Sequence, residues 1–136
     1  MPTSGAMDGS PAHHLNLQLV DDLSAGRRAR AVLRGCCHEW GVGEAACQVA
    51  LLLGSELVTN AVVHAAGPVR LCVEIDAQFL RLAVSDASPE QPRRRAAPPE
   101  AGGGRGLLLL EELSREWGVR KVPEGKAVWC LIPLSL

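Results

Sequence analysis

Apolar and polar positions alternate through "HLNLQLV", with Leu15, Leu17 and Leu19 on one side, the pattern of a half-buried strand. The period then lengthens. Asp22 or Ser24 can cap a helix over "AGRRARAVLRGCCHEW", which Gly41 to Gly43 end, and a second helix runs from about Glu44 to Ala65, stopping before Gly67-Pro68. Two strand-like runs follow, "VRLCVEI" (69–75) and "FLRLAVS" (79–85). The intervening "DAQ" suits a tight hairpin, so these two are expected to be antiparallel neighbours. Gly106 is expected to open a third helix through "LLLLEELSREW", closed by Gly118, before "VRKV", a "PEGK" turn and "AVWCLIPL" form a last hairpin.

Strands joined by tight turns, with helices grouped between them, predict an α+β fold: a mixed, mainly antiparallel sheet with helices on one face. Two segments stand outside this pattern. Residues 1–13 are small, polar and turn-forming, and are expected to be a flexible lead-in to a single domain over 14–136. Residues 87–105 carry four prolines and three consecutive glycines with no apolar period. A loop of that length inside a compact domain is more often functional than incidental.

Charge removes several function classes. Fourteen basic residues face fifteen acidic ones, so no basic excess favours nucleic acid or an anionic membrane. With no run of about eighteen uninterrupted apolar residues and no signal-peptide pattern, the expectation is cytoplasmic, with no membrane partner. Five cysteines without a CxxC pair read as reduced thiols rather than a disulfide framework or zinc site.

The second helix carries the candidate chemistry. Glu56, Asn60 and His64 stand four apart and so line one side of it. Such a line is either a solvated face or a ligand site. The apolar surroundings (Leu53, Leu57, Val58, Ala61) sharpen the choice, because buried polar groups need partners. Asp86 follows the apolar strand directly, where a carboxylate can cap a turn or read a ligand. "GGGRGL" (102–107) puts glycines before a helix, which offers backbone N–H groups to an anion or simply supplies a hinge. Arg93 to Arg95 either attract phosphates or are solvated. Ser55 adjoins Glu56, but adjacent helical residues face different ways, so no nucleophile–base pair is displayed.

Taken in order, "ELVTNAVVHA", "LAVSDASP", "GGGRGLLLLEELSREWG" and "GKAVWCLIPL" resemble the anti-sigma-factor serine/threonine kinases of the GHKL, or histidine-kinase-like, ATPase superfamily, in particular its small actinobacterial regulators. The resemblance implies a two-layer α/β sandwich of the Bergerat type that binds ATP and Mg2+. It assigns Glu56 as general base, Asn60 as magnesium ligand, and Asp86 as acceptor of the adenine amino group. Gly104, Arg105, Gly106 and Leu107 fall on the phosphate-facing segment and 87–105 on the ATP lid. His64 falls on a histidine frequent in this branch and is placed with the nucleotide-binding residues. The implied partners are a sigma factor and an anti-sigma antagonist protein bearing the phosphorylated serine, with homodimerisation possible.

Two positions depart from the family pattern. Asp86-Ala87-Ser88-Pro89 stands where Asp-x-Gly-x-Gly is usual, and Gly125-Lys126 where Gly-Thr is usual. They leave a second reading open: an ATP-binding-fold module with weak or no turnover that acts through protein binding alone. A histidine-kinase catalytic domain is a third reading, disfavoured because too few residues precede Leu15 to supply a phospho-accepting helix.

Overall fold

The structure, a computed structural model, describes residues 12–64, 67–87, 105–123 and 125–135, the side chains of 105–107 excepted. The elements run β1 (His13–Leu19), α1 (Ala25–Glu39), α2 (Glu44–His64), β2 (Val69–Ile75), β3 (Phe79–Asp86), α3 (Arg105–Leu113), β4 (Glu116–Val122) and β5 (Gly125–Pro133). The sheet order is β1-β2-β3-β5-β4, and all four pairings are antiparallel.

Strand parity sorts the sheet into two faces. Val69, Leu71, Val73 and Ile75 on β2, Leu80, Leu82 and Val84 on β3, and Val128, Cys130 and Ile132 on β5 are buried on one face. The register aligns them in rows: Leu71 opposite Val84 and Val84 opposite Val128, then Val73 opposite Leu82 and Leu82 opposite Cys130. Helix α2 packs on this face against β2, β3 and β5, with α1 and α3 beside it.

Apolar on most sides, α2 is the hub of the core, where Leu51, Leu53 and Val58 are fully buried. Each such side chain contributes roughly 1.5–3 kcal/mol of burial. By length and composition α2 could also cross a membrane; here half of its most apolar window is buried within the protein.

The sequence-predicted elements are present, with three shifts. At the start of α1, neither Ser24 nor Asp22 caps a helical N–H; instead the Asp22 carboxylate accepts from the Ser24 N–H at 2.8 Å and from its hydroxyl at 2.5 Å. Those bonds hold the Asp22 carboxyl below its ordinary value. Strand β1 begins at His13, inside the stretch expected to be flexible, and Ala12 N–H already bonds Ile75 O at 2.7 Å. The expectations for residues 1–11 lie outside the described residues.

The largest shift is in "SREWG". The third helix stops at Leu113, not Trp117, and Glu116 to Gly118 belong to β4. The Ser114 hydroxyl turns back onto Leu110 O, and Arg115 N–H crosses to Leu131 O at 2.8 Å to open the ladder. Trp117 then lies opposite Cys130 and Gly118 opposite Trp129. Pairing with the long β5 outweighs the helical propensity of Glu and Arg, a local preference worth only tenths of a kcal/mol per residue.

Candidate functional site

Glu56, Asn60 and His64 occupy successive turns of the last half of α2, and their exposure rises along the line. Glu56 and Asn60 are half-buried and His64, in the final turn, is exposed. The stripe is therefore not a simple solvated face at its inner end. Asn60 Oδ1 is fully buried and lacks a hydrogen-bond partner, the one such side-chain atom among the described residues. A buried amide oxygen left unpaired costs about 1–3 kcal/mol.

Asp86 is not in a loop. It is the last residue of β3 and the next inward position after Leu80, Leu82 and Val84, so strand alternation carries a carboxylate onto the face that α2 covers. It is 6 % exposed. Directly opposite on β5 is Lys126, the next inward position after Ile132, Cys130 and Val128, and 8 % exposed. The Lys126 ammonium donates to both Asp86 oxygens, at 3.0 Å and 3.1 Å.

Two glycines bring the surrounding segments to this end of the sheet. A Cβ on Gly125 would stand 2.1 Å from the Asp86 carbonyl oxygen and 2.8 Å from Ala87 Cα, so only glycine lets β5 start this close. Gly67, at φ +91°, turns the chain from α2 into β2, and a Cβ there would lie 3.2 Å from that of Ala87. The exit of α2 and the end of β3 thus meet beside Asp86–Ala87.

Of the remaining sequence candidates, Arg105, Gly106 and Leu107 form the first turn of α3, which packs on α2. Gly104, Arg93 to Arg95 and residues 88–104 of the expected lid lie outside the described residues. Lys126 stands in the sequence only as a departure from Gly-Thr, and the structure adds its pairing with Asp86. The alternation of "KAVWCLIP" against "FLRLAVSD" contained the signal, since both charged residues fall in phase with buried apolar rows.

Other chemistry-bearing groups are spent on structure. A cleft lined by His13, Trp40, Asp76 and Leu134 lies at the opposite end of the sheet. His13 stacks on Trp40 there at 5.6 Å, and Asp76 accepts the N–H groups of Gln78 and Phe79, both at 2.8 Å, to close the β2–β3 hairpin. All five cysteines are free thiols, and four are buried. Burial, with the neighbouring Cys47, pushes the Cys37 thiol up to about 12, and burial does the same to Cys130.

The profile of the histidine kinase-like ATPase domain matches residues 19–132, from the end of β1 to the end of β5. The chain belongs to that family. Among solved structures, it is similar to the chain containing the RsbU and RsbW domains of Rv1364c from Mycobacterium tuberculosis. The TM-score is 0.65 at 22% identity, over 90% of this chain and 33% of that one. It thus spans about a third of that chain's length and shares its fold over that part. Among curated proteins, none matches.

Proposed function

We propose that the chain is an ATP-binding regulator of the anti-sigma type: a serine/threonine kinase that phosphorylates an anti-sigma antagonist protein and binds a sigma factor. The observation that carries this reading is the buried, partnerless Oδ1 of Asn60 in a histidine kinase-like ATPase fold. An amide oxygen is a hard neutral donor, and magnesium commonly takes one or two protein oxygens alongside phosphates and water. Asn60 fits that demand. Bound Mg2+ would supply charge neutralisation to the phosphates of ATP.

The other residues have complementary tasks. Glu56, one turn before Asn60, would accept the proton of the substrate serine hydroxyl, a positioning and base role within reach of a half-buried carboxylate. Asp86 would accept the adenine amino group. The Gly104–Leu107 segment would offer backbone N–H groups and a helix N-terminus to phosphate. His64, at the exit of α2, would stand at the nucleotide's edge. The solved neighbour that carries an RsbW domain supports this reading through the fold it shares. Such a regulator works in the cytoplasm, contacts no nucleic acid directly, and can pair as a homodimer.

Incubation with γ-labelled ATP and a serine-bearing antagonist protein tests this. Glu56→Gln should reduce labelling by about 100-fold or more, the usual size of a lost general base, while ATP binding stays within twofold. Labelling that survives the substitution would remove Glu56 from the role of base.

A second reading is favoured by one observation, the Lys126 ammonium on Asp86. If the base-reading carboxylate is permanently committed, the chain keeps the fold and a partner surface and acts by binding alone. Calorimetry with ATP and Mg2+ separates the two, because the binding module gives no heat at millimolar nucleotide.

A further inference from the structure

Resting on the reading of Asp86 as the base-recognition carboxylate, we propose that Lys126 is the specificity-determining residue of that site. Its ammonium is an internal competitor that a nucleotide base must displace from Asp86.

A lysine at an inward-facing strand position is rare without a partner. Here the partner is the Cα-opposed Asp86, and the side chains are only 10% and 5% exposed. Fold stability alone does not account for the pair, since a buried ion pair is often no better than apolar residues of similar volume. What it changes is the availability of the carboxylate. Both Asp86 oxygens accept from Lys126, at 3.0 Å and 3.1 Å. A base offers a neutral exocyclic N–H, whereas the ammonium adds a full opposite charge to its hydrogen bonds, an attraction that is large where water is excluded. An amino group therefore competes poorly for these oxygens while the ammonium stands on them.

The movable partner is also identified. The Asp86 backbone is pinned by Gly125, whose missing Cβ leaves no slack against the Asp86 carbonyl. Lys126 has a flexible four-carbon stem that can carry its charge elsewhere. Full use of Asp86 by a base thus calls for Lys126 to swing aside, and the 6-amino group contributes little to selection until it does.

The test is calorimetric titration of the full chain with ATP and Mg2+, and with purine riboside triphosphate, which lacks the 6-amino group. Lys126→Thr should bind ATP at least tenfold more tightly than the wild type. It should also discriminate between the two nucleotides at least tenfold more strongly. ATP binding by the variant alone, with none by the wild type, supports the proposal equally. If both bind ATP and a folded Lys126→Thr binds it no tighter, the displacement proposal is overturned and the ATP reading stands. If neither binds any nucleotide, the ATP reading fails and takes the proposal with it.

A wild-type measurement covers the case in which the variant does not fold. With 15N-lysine labelling, the Lys126 ammonium resonance should be protected from exchange in the free protein and should lose that protection at saturating ATP and Mg2+. A resonance that stays protected and unshifted with nucleotide bound would overturn the proposal.

Discussion

Lys126 and Asp86 face each other across β5 and β3 as a buried, two-oxygen ion pair at the end of an otherwise apolar row. Removing one member of such a pair strands a charge in low dielectric, which costs about 3–5 kcal/mol; removing both costs far less. Lys126→Met alone should therefore destabilise by about 3 kcal/mol, and Lys126→Met with Asp86→Asn should recover most of that loss. Urea denaturation of the wild type, both single variants and the double gives the coupling energy directly. Additive single effects would mean that the pair is not coupled in solution.

The close start of β5 makes a second prediction, paired with its own control. Gly125→Ala places a methyl 2.1 Å from the Asp86 carbonyl, against backbone that pairs with β5 at Lys126. Overpacking of this kind costs about 1–3 kcal/mol. Gly35 is also a glycine, but it sits within α1 with open space where a Cβ would go. Gly35→Ala should stabilise by about 0.5–1 kcal/mol, the helix-interior difference between the two residues. Thermal melts of the two variants should move in opposite directions.

Much of this architecture was legible from hydrophobic period. The limits of α2, β2 and the β2–β3 hairpin follow from apolar spacing and the turn residues between them, because those elements bury the faces that their own pattern marks. "SREWG" was not legible, since its strand character comes from β5, a partner that follows in the chain and satisfies its backbone. At the site, Glu56, Asn60 and Asp86 stood out as polar groups within apolar runs. The Lys126–Asp86 contact did not, because it needs a register across two strands separated by about forty residues.

Thiol titration should show itself in alkali. Cys37 and Cys130 lie near 12 in the native protein, against an ordinary thiol value of 9.0, chiefly because burial disfavours the thiolate. Between those values the folded chain keeps protons that the unfolded chain has released. With fewer protons on the unfolded state, stability falls as pH rises. The contribution of these thiols is thus fully present below about pH 9 and is lost progressively toward pH 12. Urea midpoints measured from pH 7 to 11 should hold level and then drop above about 9, and Cys130→Ala should flatten the drop. A midpoint independent of pH up to 11 would refute the assignment.

Asn60 should separate stability from function. Its buried Oδ1 has no partner, so the fold bears a desolvation cost of about 1–3 kcal/mol that packing does not require. Asn60→Leu is close to isosteric and removes the polar group. The variant should melt at the same temperature as the wild type or higher. On the proposed function the opposite holds for the ligand: with the amide gone, magnesium would lack its protein oxygen, and the Mg2+-dependent part of ATP affinity should disappear. Asn60→Asp keeps an oxygen at the same place, and should retain magnesium dependence while lowering stability, since an ionised carboxylate is harder to bury than an amide. Melting curves with and without Mg2+ and ATP, run on all three proteins, decide the matter. A destabilised Asn60→Leu whose nucleotide affinity stays magnesium-dependent would make Asn60 an ordinary core residue and move the metal site elsewhere.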